Sequence, residues 1–340
     1  MTRKAISVAL QGGGSHGAFT WGVLDRLLED DRIHIEAISG TSAGAMNAAA
    51  LLSGYARGGA SGARESLNKF WLAISDYAAF SPMQRSWIDQ VMGNWSLQNS
   101  PGYLWANWFG NLVSPYQSNP FNLSPLRSVL NKYIDIEALR SCSNIRIFVA
   151  ATNVRTGKAK IFDRDSLSID ALLASACLPH LYQAVEIEGE AYWDGGYMGN
   201  PVIWPLIYKA ETADVVLIQI NPLTREQTPT SVDDINDRRD EITFNSSLIH
   251  EMRAIAFVQR LLDQGALKEP WSSQYKNMRM HMISDPQGME DLGASSKMNV
   301  EHSFVMHLKS MGYQTANNWI KSNISKIGKS STLDIRSTFL

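Results

Sequence analysis

Twice within the first 52 residues a short apolar run stops at glycines and a helical pattern begins. Residues 4–10 are β-rich and end at Gln11-Gly12-Gly13-Gly14, and residues 36–39 end at Gly40. After the first run, residues 18–30 carry Phe19, Val23 and Leu27 four apart, with Leu24 and Leu28 likewise. After the second, residues 43–52 are almost wholly apolar and alanine-rich, which marks a buried helix. Strand, glycine turn and helix, repeated, is the grammar of a parallel sheet with helices packed against it. Further runs extend this α/β reading. Strands are predicted over 145–151, 184–188, 191–193, 215–220 and, late in the chain, 278–283; helices are predicted over 167–177, 242–262 and 303–322.

Composition bounds the function. The chain has 340 residues, 44% hydrophobic and 19% charged, enough for one large α/β domain or two smaller ones and unlike a disordered chain. A formal net charge of -2 lacks the basic excess of a nucleic-acid binder, so no nucleic-acid partner is expected. Cys142 and Cys177 form no CxxC, which removes zinc-ribbon and dithiol redox chemistry and leaves two thiols in a reducing compartment. No stretch is apolar for long enough to span a bilayer, and the N-terminal apolar run is too short for a signal-peptide core. The expected setting is therefore cytoplasmic, with or without peripheral membrane contact.

Residues 55–66 are rich in Gly, Ala and Ser and read as a mobile connection. Between Trp71 and Phe121 the composition shifts: half of the ten tryptophans fall there, among tyrosines and phenylalanines such as Tyr77, Phe80 and Tyr116. This segment, about 75–124, reads as an insertion, either a satellite aromatic cluster or a cap that touches lipid. The expected division is a catalytic domain over 1–225 and an extension over 226–340 packed on it.

Three chemistries could use Gly12-Gly13-Gly14-Ser15-His16-Gly17. A Walker loop needs Lys and then Ser or Thr after the last glycine, and Ala18-Phe19 stand there instead. A dinucleotide turn fits Gly12, Gly14 and Gly17, but the acid it needs, Glu36, sits at the start of the next strand rather than its end. The third use is an oxyanion hole, with backbone N–H groups at a helix start facing developing negative charge. A plain tight turn needs no ligand at all.

Gly40-Thr41-Ser42-Ala43-Gly44 is GxSxG between a strand and a helix, the context in which that motif lifts a serine hydroxyl out of a sheet. A serine nucleophile needs a base. His180, His250, His281, His302 and His307 follow Ser42, but none sits in a glycine-rich strand-end loop. Asp194-Gly195-Gly196 does end a predicted strand, and its two glycines would admit another side chain closely. On its own, DGG reads more simply as a hairpin turn.

Taken in order, these motifs resemble the patatin-like phospholipase family. Residues 12–17 resemble its glycine-rich oxyanion loop and 40–44 its nucleophile elbow. Ala174-Ser175-Ala176-Cys177-Leu178-Pro179 is similar to its A-S-x-x-x-P segment, and 194–201 to its D-G-G block with trailing Asn and Pro. The resemblance covers roughly residues 4–222. It implies a three-layer α/β/α sandwich with a mostly parallel sheet, a Ser42–Asp194 dyad without histidine, and lipid acyl esters as substrates. It also implies an oxyanion hole built by Gly12, Gly13, Gly14 and Ala43, with no metal or cofactor; His16, Gly17, Gly40, Gly44, Gly195 and Gly196 support the site. One departure stands out. The family usually has Lys or Arg where this chain has His16, and His16 would supply that charge only when protonated. Activity lost at alkaline pH is the corresponding expectation.

Two other readings stay open at this point. The same chemistry could act on a non-lipid ester, such as a storage polyester or an acyl carrier. Alternatively, the fold could bind lipid without turnover, or bind a dinucleotide at residues 12–17.

Overall fold

In the computed structural model, residues 3–78, 84–110, 113–290 and 292–340 are described. These residues form one eight-stranded sheet, ordered β5-β6-β3-β2-β1-β7-β8, with β4 also paired to β3. β1 (Lys4–Leu10) lies between β2 (Ile33–Thr41) and β7 (Asp214–Ile218), parallel to both. β3 (Arg146–Asn153) extends the parallel set beyond β2, and β8 (Arg279–Ile283) extends it beyond β7. β4 (Ala159–Asp163), β5 (Val185–Ile187) and β6 (Glu190–Asp194) form the antiparallel side.

Alternation along the strands feeds two cores, one on each face. Ile6, Val8 and Leu10 of β1, with Val216 and Ile218 of β7, join α1 (Gly17–Glu29), α2 (Ala43–Ala78) and a helix near the C-terminus. Ala9, Ala37, Phe148, Val215 and Leu217 point the other way, onto Leu248 and Met252 of a long helix at 232–263 and onto Leu333, Ile335 and Phe339. The result is a helix–sheet–helix sandwich, as the resemblance implies. Strands with both faces covered need nearly continuous apolar sequence, which is why β1 and β7 carry no alternating polar residues.

Between these elements run α3 (Ile169–Ser175), capped by the Ser168 hydroxyl on the Ala171 N–H, α4 (Val232–Asp263) and α5 (His302–Asn323). α5 packs along α1 so closely that a Cβ on Gly22 would sit 2.0 Å from the Lys309 carbonyl oxygen. Residues beyond 225 thus supply β8, the outer layer on one face (α4) and α5 on the other.

Several elements differ from the sequence reading. Residues 55–66 are helical, within α2, and Ala63 is fully buried. The glycines break the helix only at Gly58 and Gly59, where φ/ψ leave the helical region. α4 begins at Val232, ten residues before the predicted start, because Ser231 caps it through the Asp234 N–H. The short strand β4 was not predicted.

Candidate active site

Leu10 and Gly40 are partners in the β1–β2 register, so the glycine loop and the GxSxG turn leave the sheet side by side at the carboxyl edge. That edge is where open α/β sheets bind ligands. Ser42 has φ 53°, in the left-handed region that a serine seldom adopts. Its N–H donates to the Ser175 hydroxyl at 2.9 Å, which holds the strained turn from the side. The flanking glycines are needed for space. A Cβ on Gly44 would lie 2.3 Å from the Leu10 carbonyl oxygen, and one on Gly40 would lie 2.6 Å from the Gly44 backbone. A Cβ on Gly17 would press Ala43 at 2.7 Å.

Asp194 closes β6 opposite Ala151 of β3, which brings it to the same edge. Its N–H donates to the Cys177 carbonyl at 2.8 Å, and one carboxyl oxygen accepts from the Gly196 N–H at 2.7 Å. The residue is 2% exposed. Burial pushes its carboxyl up from 3.8 to about 7, against the lowering effect of hydrogen bonds from the Gly196 N–H and the Ser42 hydroxyl. The DGG block is not a hairpin. It runs into a 3₁₀ turn, Gly195–Tyr197, where a Cβ on Gly195 would meet the Ala150 carbonyl oxygen at 2.2 Å. On Gly196 it would meet the Phe244 ring at 2.3 Å.

The glycine loop is wired more tightly than its sequence suggests. The Gly12 N–H donates to Asn200 Oδ1 at 2.6 Å, and the Gly12 carbonyl accepts from Asn221 Nδ2 at 2.8 Å. The Gly12 N–H is thus already engaged. Among the described residues the N–H groups of Gly13, Gly14 and Ala43 donate to no protein acceptor, and all three residues border the cavity below. Gly14 has φ +58°, and a Cβ there would strike the Lys297 carbonyl oxygen at 2.3 Å.

His16 does not carry the charge expected of it. Its ring is buried, with Nε2 2.8 Å from the Ser296 hydroxyl, and it meets Phe304 edge-on. Burial first, then the positive charges of Lys297 and Arg225, lower its pKa to about 3. It is uncharged at pH 7, so the expected alkaline loss of activity has no basis in this residue. Glu36 likewise fails the dinucleotide reading. Its carboxylate accepts the N–H groups of Glu211 and Thr212 rather than facing residues 12–17.

The loop, Ser42 and Asp194 share the wall of a cavity of about 350 Å³. The remaining wall is mostly apolar, with Met46, Phe70, Trp71, Leu178, Phe244 and Met298 contributing. Cys177 lies behind Asp194 rather than in this wall, and burial pushes its thiol up to about 11.

The aromatic segment divides. Trp71 is buried in α2, stacked on Trp21, with its N–H on Asn47 Oδ1 at 2.9 Å. Trp95 packs on Phe304 and under the Arg85 guanidinium. Trp87, at 74% exposure, and Phe121, at 83%, face outward with Trp105 and Tyr116. Phe80 lies outside the described residues.

A family model described as patatin-like phospholipase matches residues 8–207. The chain belongs to the patatin-like phospholipase family. A search of curated proteins finds no match. Among solved structures, VipD from Legionella pneumophila is similar at 17% identity and TM-score 0.37, over 91% of this chain and 67% of that one. The type III effector ExoU is similar at 14% identity and TM-score 0.36, over 94% of this chain and 53% of that one. The full-length SpcU–ExoU complex from Pseudomonas aeruginosa gives 13% identity and TM-score 0.31, over 93% and 53%. This patatin-like chain thus spans about half the length of ExoU. Membership supports lipid hydrolase activity. Among the described residues no helix is long and apolar enough to cross a membrane.

Motif reading singled out Ser42, Asp194 and the glycines that the fold brings together here, but gave no role to Asn221 or Lys297. Asn221 had a faint signal, as an Asn-Pro pair closing a strand. Lys297 had none, because its place depends on how residues 294–298 fold back onto a loop 280 positions earlier.

Proposed function

We propose that the protein is a serine acyl hydrolase that cleaves carboxylic esters of lipids through a Ser42 acyl-enzyme, with Asp194 as the base. The observation that carries this reading is the pairing of a strained Ser42 with a buried carboxyl whose pKa is pushed up to about 7. A carboxylate near its ordinary pKa takes a serine proton poorly, and one near neutrality takes it better. Asp194 removes the Ser42 proton as Oγ bonds to the ester carbonyl carbon. The N–H groups of Gly13, Gly14 and Ala43 face the oxyanion, while Gly12 is held by Asn200 and Asn221 as a scaffold. Collapse breaks the ester C–O bond, and the alcohol leaves with the proton from Asp194. Water then gives a proton to Asp194 as its oxygen bonds to the acyl carbon; the bond from Ser42 Oγ to that carbon breaks, Oγ takes the proton back from Asp194, and the acid leaves.

The apolar wall suits an acyl chain better than a polar acyl group, which supports a lipid over a storage polyester. Trp87, Trp105, Tyr116 and Phe121 are each exposed, and amphipathic aromatics of this kind suit the edge of a bilayer, so we assign peripheral membrane contact to this segment.

The test is hydrolysis of p-nitrophenyl butyrate, phospholipid vesicles and a soluble polyester by wild type, Ser42→Ala and Asp194→Asn. Loss of roughly three orders of magnitude or more in both folded variants is expected. Turnover retained by Ser42→Ala overturns the reading, and activity confined to the polyester overturns the substrate class.

A further inference from the structure

The basic side chain missing from the glycine loop is present nearby, on a residue far along the chain. The turn at Ala294–Met298 lies outside residues 8–207 and runs along the loop. The Ser15 hydroxyl donates to the Ser296 carbonyl at 2.8 Å, His16 meets the Ser296 hydroxyl, and Gly14 abuts the Lys297 carbonyl. From this turn the Lys297 side-chain nitrogen donates to Asn221 Oδ1 at 2.9 Å; burial lowers its pKa from the ordinary lysine value, and the carboxylates of Glu241, Asp237 and Asp240 act the other way. The same Asn221 amide donates through Nδ2 to the Gly12 carbonyl. That carbonyl belongs to the peptide whose N–H is Gly13's. Among the described residues no carboxylate forms an ion pair with Lys297; the nearby Glu241 is engaged by Arg225 and Arg238.

We propose that Lys297 is a positioning residue for the oxyanion site, polarising the Gly13 N–H through the Asn221 amide and the Gly12–Gly13 peptide. The inference rests on the reading of Ser42 and the loop given above. A cation on the amide oxygen of Asn221 draws electron density from its nitrogen and makes Nδ2–H a stronger donor. A stronger bond to the Gly12 carbonyl polarises the peptide in the same sense, and the Gly13 hydrogen becomes more positive. Chains of hydrogen bonds strengthen one another in this way in a low-dielectric interior. The effect is felt where negative charge develops, so it acts on the transition state more than on the bound ester. No proton moves along the chain, and Lys297 need not touch substrate.

Removing an oxyanion donor outright costs about a hundredfold to a thousandfold in kcat, so loss of polarisation one step removed should cost about tenfold to a hundredfold. The test compares wild type, Lys297→Met, Lys297→Gln and Lys297→Arg, with Ser42→Ala alongside, on a soluble acyl ester. Two inhibitors are added: a trifluoromethyl ketone, which forms an oxyanion on Ser42, and the matching alkyl ether, which cannot. The expected result is a fall in kcat for Lys297→Met with KM within about twofold. The ketone should weaken by the same factor and the ether not at all, with much of the loss recovered in Lys297→Arg. A structural role alone would not separate the two inhibitors. Wild-type kcat in folded Lys297→Met, or equal weakening of ketone and ether, overturns the proposal. If Lys297→Met does not fold, the same comparison on Lys297→Gln decides. When Ser42→Ala is inactive and the Lys297 variants are unimpaired, only this inference fails; when Ser42→Ala turns over, the acyl-enzyme reading fails and this falls with it.

Discussion

Replacing Asp194 with asparagine should make the protein more stable as it makes it inactive, and the gain should depend on pH. The Asp194 carboxyl is buried, and its pKa rises from 3.8 to about 7 on folding. Between those values the folded state binds a proton that the unfolded state has lost. Stability from this group is therefore fully present below about 4 and falls as pH rises toward about 7, after which it is level. At about 1.4 kcal/mol per pH unit, the stretch from pH 5 to pH 7 removes about 3 kcal/mol from the wild type, and nothing further is lost up to pH 8. Against a total stability of roughly 5–15 kcal/mol this is a large share. Asparagine keeps an oxygen for the Gly196 N–H and carries no charge to desolvate, so its stability lacks this slope. The assay is urea unfolding of wild type and Asp194→Asn at pH 5 and pH 8. The difference between the two proteins should widen by about 3 kcal/mol in favour of asparagine at the higher pH. The same difference at both values would refute the placement of a protonated, buried carboxyl beside Ser42.

The other predictions read the same geometry by different means. The rate of ester hydrolysis should fall about tenfold per pH unit below about 7, where Asp194 is protonated, and His16→Gln should leave that limb in place because His16 is already neutral. Gly12→Ala should abolish activity and lower the melting temperature, since its Cβ would sit 2.7 Å from both the Ser42 Cβ and the Thr41 carbonyl oxygen. Both cysteines are buried, so a thiol reagent should titrate neither in the native protein and both in urea. At the far end of the sheet, Asp214 bonds His281, Arg279 and the Gly328 N–H. Asp214→Ala should cost about 3–5 kcal/mol in urea unfolding while leaving kcat of the folded fraction unchanged.

What the sequence disclosed was what is local. Leu10, Gly12, Gly40, Ser42 and Asp194 sit in short motifs whose turn geometry is a property of neighbouring residues, so they could be found by spacing. β4 escaped because Ala159–Asp163 is a short strand of mixed polarity beside a stronger one, with only Phe162 buried. Residues 55–66 were misread because Gly and Ser signal loops by default. There the face carrying Ala63 and, further on, Leu67 packs into the core and overrides that preference. His16 was misjudged for a related reason. Its type permits a charge, but desolvation decides whether it holds one, and desolvation depends on Phe304 and the turn at Ala294–Met298. Lys297 and Asn221 act only through contacts across the fold, which no window of neighbouring residues contains.

The clamp on the glycine loop also has a consequence in time. Ser15 and Ser296 are 281 positions apart, so a ribosome makes the loop well before the turn that supports it. At about 5–20 residues per second, roughly a quarter of a minute to a minute separates them. Through that interval the nascent chain can carry Ser42 and its motif but not the turn that fixes residues 12–17. A glycine loop supported this way is fixed only after synthesis has passed residue 296.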